Sequence, residues 1–201
     1  MKVGLLVECG KSGPDGRVLE CFLRRFWAHA HVCARWVPLD NKRRLLAECG
    51  REAALLLADG CDRVIVAWDL VPAPFDDAKK GKRRPCRHDE RAAVMASLAA
   101  AGVPLAKVDL LCIEDALERL LLKDDAAIRA TIAEVTKRET QPLAGKRSRD
   151  SKKAMDHHFK DHDAAYDDWV HAPRIAERVA LTRVRKVAAF KRLEKKLGRA
   201  R

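Results

Sequence analysis

The chain has 201 residues, of which 48% are hydrophobic and 35% are charged. This length suits one α/β domain with a small appendage, and the composition is sufficient to bury a core. No run approaches the roughly 20 apolar residues of a membrane span, and a strand occupies the place where a signal peptide would have its apolar segment, so we expect a cytoplasmic protein with no membrane contact.

The first predicted strand is an apolar run at residues 3–7, of the near-continuous type found in parallel sheets. Glu8 follows it directly, and a glycine-containing turn leads into a helix predicted from Pro14 to His31. Ligands collect at the carboxyl ends of strands in open α/β sheets, which makes Glu8 a candidate catalytic residue. The alternative is a solvated glutamate at the start of a loop. Small residues beside Lys11 would let a phosphate or a metal approach the backbone, so Lys11 is a candidate nucleic-acid contact.

The next elements alternate between strands and helices. A strand is predicted at 32–39, followed by a helix that Asp40 or Asn41 caps and that runs to about Ala58. A second buried strand then ends in Asp69. This alternation of strands and helices is typical of a parallel sheet.

The predicted loop at 70–87 follows the strand that ends in Asp69 and precedes a helix predicted at 88–101. It carries a basic cluster made of Lys79, Lys80, Lys82, Arg83, Arg84 and Arg87. A basic loop at the mouth of an acidic site is well placed to clamp a phosphodiester backbone. An exposed loop that its charge keeps soluble is an equal alternative.

A third apolar strand, predicted at 107–113, is followed by Glu114 and Asp115. If the three strands are parallel neighbours, each delivers an acid at the same edge of the sheet. Clustered carboxylates raise one another's pKa and usually hold a hard divalent cation, so Asp69, Glu114 and Asp115 are candidate ligands for Mg²⁺ or Mn²⁺. Asp115 and Glu118 also lie where a helix begins, and the helix dipole alone favours acids there.

The rest of the chain is predicted to be helical and basic. A helix at 124–137 precedes a polar linker, an irregular helical segment spans 150–169, and Pro173 opens a last helical stretch to about Leu197. The net charge is +12, and residues 146–201 hold 17 basic against 8 acidic residues. Nucleic acid is the commonest polyanion partner for such a surface, although a basic helix can also be merely solvated.

The seven cysteines are odd in number, scattered, and without a CxxC pair. They are therefore predicted to be reduced core residues and not a disulfide framework. A zinc site could combine Cys86 and His88 with His157, His158 and His162, but this spacing is not that of a known finger.

Four short motifs are VEC-G after the first strand, VIVAWD at a later strand, CIEDALERLLL entering a helix, and RIAERV…VAAFKRL near the end. Over about residues 2–197 this combination resembles a group of small bacterial TOPRIM-like proteins. TOPRIM domains occur in topoisomerases, primases, OLD-type nucleases and recombination factors. The resemblance implies a three-layer α/β domain with a mostly parallel central sheet, placed at 1–137. The charge of residues 146–201 predicts a basic helical C-terminal extension packed on this domain.

The TOPRIM pattern is a glutamate after the first strand and a D-x-D after a later one, which bind Mg²⁺ for phosphodiester chemistry. By this resemblance Glu8 is the general acid or base and Asp69 is the first metal-binding aspartate. The second acidic position is Val71. Either Glu114 or Asp115 therefore completes the metal shell, or the site has lost strong metal binding.

Two functions are expected from these features. The first is a Mg²⁺-dependent nuclease-type protein of defence or repair, acting on nucleic acid, with DNA favoured over RNA. The second is a TOPRIM-derived subunit without chemistry, which docks nucleic acid or a partner protein of a multi-subunit system. Val71 favours the second function.

Overall fold

A parallel sheet forms the centre of the fold. In the computed structural model its strands are β1 (Lys2–Val7), β2 (Cys33–Pro38), β3 (Arg63–Asp69) and β4 (Val108–Ile113), in the order β2-β1-β3-β4. All pairings are parallel, and Asp69 lies opposite Ile113, so β3 and β4 end at one edge. The structure describes residues 1–10, 13–27, 33–70, 86–113, 116–142 and 150–197.

Helices cover both faces of this sheet, as the near-continuous apolar strands require. Within the described residues they are α1 (Asp15–Phe26), α2 (Lys42–Ala58), α3 (Arg87–Ala100), α4 (Leu117–Leu121), α5 (Asp125–Thr136), α6 (Ser151–Lys160), α7 (Asp168–Arg178), α8 (Leu181–Val184) and α9 (Ala188–Leu197). The predicted α/β class with a parallel central sheet is confirmed. No helix of the described residues is both long and apolar enough to span a membrane.

Two hydrophobic cores separate the layers of the fold. Leu6 of β1 contributes to the core under α2 and α3, whereas its neighbours Leu5 and Val7 contribute to the core on the other face. That second core is formed with α1 and with α4 to α9. Successive strand residues point to opposite faces, so each buried strand supplies both cores.

The C-terminal helices belong to this second core. Phe159 of α6, Ile175 of α7 and Phe190 of α9 are fully or almost fully buried in it. The ring of Phe190 meets that of Phe22 in α1 edge-on, with 5.7 Å between their centroids. Residues beyond 150 therefore complete the layer of helices that covers this face of the sheet.

The predicted helix that begins at Pro173 is wrong. Pro173 lies inside α7, which begins at Asp168 because the side chain of Asp167 accepts the Val170 N–H and caps the helix. Proline has no N–H, so the carbonyl of Trp169 lacks its partner within the helix. The guanidinium of Arg17 replaces that partner, because its Nη1 donates to the Trp169 carbonyl over 2.8 Å.

Two further boundaries differ from the sequence prediction. The first helix ends at Phe26 and Trp27 follows it as the C-cap, earlier than the predicted His31. The irregular helical segment at 150–169 divides into α6 and the first residues of α7, with Asp163 at a φ of 56° between them. Such a left-handed residue ends regular helical geometry.

Candidate functional site

Two acids meet at the carboxyl edge of the sheet on neighbouring strands. Glu8 follows β1 and Asp69 is the last residue of β3, and these strands pair with Val7 opposite Ala67. The backbone N–H of Asp69 donates to Oε2 of Glu8 over 3.3 Å. Parallel pairing thus brings together two of the residues that the sequence singled out.

A tight turn places a third acid at the same edge. The N–H of Gly13 donates to the carbonyl of Gly10 over 2.9 Å, and a Cβ at position 13 would overlap the side chain of Cys9. Only glycine fits this close approach. Asp15 then begins α1, and its carboxyl group interacts with the thiol of Cys9. Burial raises the pKa of Cys9 to about 12, so this group stays a thiol.

A fourth acid comes from α4. Oδ2 of Asp69 accepts the backbone N–H of Leu117 over 3.1 Å, which fastens the start of α4 to the end of β3. Glu118 is the next residue, and Asp15 and Asp69 line one narrow pocket together with Leu117. Glu8, Asp15, Asp69 and Glu118 are all half-buried. We call these four residues the acid cluster.

The pKa of every member of the acid cluster is raised, and burial is the largest cause each time. Burial raises the pKa of Glu8 to about 7, and burial with the charge of Glu118 raises that of Asp15 to about 6. Burial, then the charges of Asp15 and Glu8, raise the pKa of Asp69 well above its usual range. The pKa of Glu118 is raised in the same direction. Part of the cluster therefore stays protonated near neutral pH, where exposed carboxyl groups would be ionised.

Lys42 supplies positive charge to this region, but it shares that charge with another acid. Lys42 is the first residue of α2, and its side chain is buried. Its Nζ lies 3.5 Å from Oε1 of Glu90 and 2.9 Å from the carbonyl oxygen of Leu70. The indole N–H of Trp68 donates to the other oxygen of Glu90 over 2.9 Å. Lys42 lowers the pKa of Glu8, yet burial outweighs it.

A second ion pair borders the cluster on the side of α6 and α7. Nζ of Lys152 donates to Oδ2 of Asp168 over 2.5 Å, and the two charges act in opposite directions on the pKa of Glu118. Beside them the hydroxyl of Tyr166 is buried without a hydrogen-bond partner among the described residues. Burial, and then the charge of Glu118, raise the pKa of Tyr166. The phenol is therefore held neutral next to the acids.

Among the described residues, no three His, Cys, Asp or Glu side chains are grouped so that they could hold a metal ion. Cys86 and the histidines of the possible zinc site are among these described residues and form no such group. The acid cluster is a region of shared charge and not a closed set of ligands. Its donors are all carboxylate oxygens, which are the ligands that Mg²⁺ and Mn²⁺ prefer.

Most of the other predicted site residues lie outside the described ranges. These are Lys11, Lys79, Lys80, Lys82, Arg83, Arg84, Glu114 and Asp115. Arg87 is described and begins α3, where it is half-buried. Its charge opposes the rise in the pKa of Cys112 that burial causes, which places Arg87 near the end of β4.

Sequence analysis did not assign Asp15 and Glu118 to the site. Both lie in the first turn of a helix, where the helix dipole is a sufficient reason for an acid. The signal that could have found them is position, because each helix follows a strand that ends at this edge. A helix entered from that edge begins beside the strand-end acids.

Comparison of the chain with family models, with curated proteins and with solved structures gave no match.

Proposed function

We propose that the acid cluster binds Mg²⁺ or Mn²⁺ and serves phosphodiester chemistry on nucleic acid, in a TOPRIM-like domain. One observation carries the proposal: Glu8, Asp15, Asp69 and Glu118 converge, half-buried, on the carboxyl edge of a parallel sheet. Open α/β sheets place their ligands at this edge. Carboxylates gathered there are suitable ligands for a hard divalent cation.

The charges around the cluster support a cation. Lys42 is shared with Glu90, and Lys152 is shared with Asp168, so both cations are already engaged by other acids. The protein alone must then keep part of the cluster protonated near neutral pH. Ligating carboxylates have to be deprotonated, so binding of a cation would release those protons.

The residues of the cluster suit different tasks. Asp69 and Asp15, which line the same pocket, would hold the cation together with Glu114 or Asp115, the residues that follow β4 in the sequence. A cation bound there polarises a phosphate and lowers the pKa of a water molecule. Glu8 has a pKa of about 7, which suits a group that accepts and returns a proton at neutral pH.

The charge of the chain supports nucleic acid as the substrate. The net charge is +12, and the basic cluster at 79–87 remains a proposed clamp for the backbone. DNA is proposed ahead of RNA. The function that these features support best is a nuclease-type TOPRIM protein of a defence or repair system.

Calorimetric titration with Mg²⁺ and Mn²⁺ at fixed ionic strength tests the proposal. We expect saturable binding by the wild type and its loss in Asp69→Asn, because the variant removes a charge from the centre of the cluster. Asp62→Asn is the matched control: Asp62 is an exposed acid at the opposite edge of the sheet, where it accepts the Lys2 N–H over 2.6 Å. Equal affinity in the wild type and in Asp69→Asn would refute the metal site.

The second candidate is a TOPRIM-derived subunit that binds nucleic acid or a partner protein without chemistry. Val71 at the second position of the D-x-D pattern favours it. This candidate predicts nucleic-acid binding that depends on salt and is unaffected by EDTA at constant ionic strength. Incubation of labelled DNA and RNA with Mg²⁺ separates the two candidates, since cleavage that Asp69→Asn abolishes belongs only to the enzyme.

A further inference from the structure

A cleft between α1 and α7 begins beside the acid cluster. Its lining residues are Arg17, Glu20, Cys21, Arg24 and Arg25 from α1, and Pro173 and Glu177 from α7. Each helix begins with an acid, Asp15 in α1 and Asp168 in α7. The charge of Asp168 contributes to the raised pKa of Asp15, which belongs to the acid cluster. One end of the cleft therefore adjoins the proposed metal site.

Arg17 is fixed at this end of the cleft because Pro173 lies inside α7. The carbonyl of Trp169 would accept an N–H from position 173, and proline has none. Nη1 of Arg17 donates to this carbonyl instead, over 2.8 Å, and the guanidinium carbon lies 4.7 Å from the centroid of the Trp169 ring. Arg17 makes no ion pair within the part of the chain that the structure describes, so its charge is not neutralised by a carboxylate.

Arg25 is held in a similar way further along the cleft. Its Nη1 donates over 2.5 Å to the carbonyl of Ala176, near the end of α7, where helical carbonyls lack partners within the helix. Arg24 points outward, with 63% of its side chain exposed, and pairs with Glu20 one turn away. The three arginines thus follow one side of α1 and outnumber the two glutamates of the cleft.

The basic side of α1 continues to its far end. Arg185, which follows α8 and pairs with Glu194 over 2.9 Å, places its guanidinium carbon 5.3 Å from the centroid of the ring of Phe26, the last residue of α1. Nine residues separate Arg17 from Phe26, which is about 14 Å of helix. A DNA strand carries one phosphate about every 3.4 Å along the helix axis, so this length matches about four phosphates.

We propose that the α1–α7 cleft binds the phosphate backbone of a nucleic-acid strand and leads it to the acid cluster. The inference rests on the proposed function, because it assigns a substrate path to that same site. A guanidinium has five N–H donors in a planar fork that matches phosphate oxygens, and Arg17 uses one of them on Trp169. Since Trp169 already orients Arg17, little side-chain freedom is lost when a phosphate binds.

Fluorescence anisotropy of a short labelled DNA, single-stranded and duplex, tests the cleft in EDTA over a series of salt concentrations. Arg24→Glu is compared with Arg51→Glu on α2, whose side chain is 66% exposed and pairs with Glu48. The two arginines are matched in exposure, and each pairs with glutamate of its own helix, Arg51 with Glu52 as well as with Glu48. We expect Arg24→Glu to weaken binding about tenfold, because a phosphate contact is lost. The salt slope, which is the slope of the logarithm of the binding constant against the logarithm of the salt concentration, should fall in magnitude by about 1. Arg51→Glu should leave the slope unchanged.

Two substitutions at Arg17 separate phosphate binding from the packing of α7. Arg17→Gln removes the charge, whereas Arg17→Lys keeps a point charge without the planar fork. We expect the salt slope to fall by about 1 in Arg17→Gln and to stay at the wild-type value in Arg17→Lys. A purely structural Arg17 would lower the thermal midpoint of both variants and change neither slope.

Equal affinities in Arg24→Glu and Arg51→Glu, with an unchanged slope in Arg17→Gln, would overturn the cleft as a binding path. The metal titration of Asp69→Asn is independent of this result, because the anisotropy is measured without divalent cations. A failed metal titration with weakened binding in Arg24→Glu would thus retain the cleft and reject the metal site. If Arg24→Glu weakens binding and Arg51→Glu does not, the DNA form that the wild type binds more tightly identifies the strand geometry of the path.

Discussion

Glu8 shows how burial and charge compete at a single residue. Burial raises its pKa from the usual 4.5 to about 7, although Lys42 opposes this rise. The pKa of Asp15 is raised from 3.8 to about 6 by burial and by the charge of Glu118. In both cases the folded protein holds a proton that the unfolded chain would release near pH 4. Folding stability is therefore linked to protonation of the acid cluster.

This linkage predicts the pH dependence of stability in EDTA. Groups whose folded pKa is raised contribute stability that is complete below their unfolded pKa and is lost as pH rises through the folded value. We therefore expect the free energy of unfolding to decrease from about pH 4 to about pH 8, through the region set by Asp15 and Glu8. Urea denaturation at a series of pH values measures this change.

Glu8→Gln is the control, because it removes one of the titrating groups. In this variant the free energy of unfolding should change less with pH at the high-pH end of the range. His158 and His171 act with the opposite sign, since burial lowers the pKa of each and their stability contribution is lost as pH falls. The difference between wild type and Glu8→Gln cancels these histidines. A difference that does not change between pH 5 and pH 8 would show that Glu8 is not buried as the structure has it.

The acids that the sequence could predict are those placed by strands. Glu8 and Asp69 follow apolar runs that can only be buried strands, so their edge of the sheet is fixed once the strands are parallel. Asp15 and Glu118 begin helices, and an acid at a helix start has a local reason that hides any tertiary role. Their part in the cluster depends on the closeness of two helix starts, which no local pattern contains.

The same contrast holds for whole elements. The sequence predicts Asp40 or Asn41 as the cap of α2, because either side chain can accept a backbone N–H locally, and in the structure Oδ1 of Asn41 accepts that of Arg44 over 2.9 Å. Pro173 misled the prediction because proline is usual in a first turn and costly inside a helix. Inside α7, the carbonyl that proline leaves without a donor accepts from Arg17, about 150 residues earlier in the chain.

This arrangement predicts energetic coupling between Arg17 and Pro173. Arg17→Gln should lower the free energy of unfolding by about 1 kcal/mol, because the Trp169 carbonyl loses its donor. In the Pro173→Ala background the helix supplies an N–H to that carbonyl, so the same substitution should cost close to nothing. A double-mutant cycle by urea denaturation then gives a coupling of about 1 kcal/mol.

Arg24→Gln is the matched control for this cycle. Arg24 is two turns further along α1 and pairs with Glu20, without a hydrogen bond to α7 among the described residues. Arg24→Gln should lower the free energy of unfolding by the same amount whether position 173 is proline or alanine. Equal costs of Arg17→Gln in both backgrounds would mean that its bond to Trp169 contributes no stability.

At the scale of the molecule, the basic C-terminal segment has a structural task that its composition does not reveal. The sequence suggested an extension at 146–201 packed on a domain at 1–137, because the charge changes there. The structure places buried side chains of α6 to α9 in one core with β1, β3 and β4, and Phe190 against Phe22. Charge patterning reports the solvent side of a helix, whereas burial depends on the apolar positions between the charges.

A fragment of residues 1–142 is therefore expected not to fold cooperatively. Without α6 to α9, the face of the sheet that holds Leu5 and Ile65 loses part of its cover, and the exposed apolar surface opposes folding. Circular dichroism in urea should show no cooperative transition for the fragment. Phe190→Ala in the full chain is the control: it should cost about 4 kcal/mol and keep the transition, because it removes one core side chain and no element. A cooperative transition in the fragment would instead establish residues 1–142 as an independent domain, with the basic helices as an addition to it.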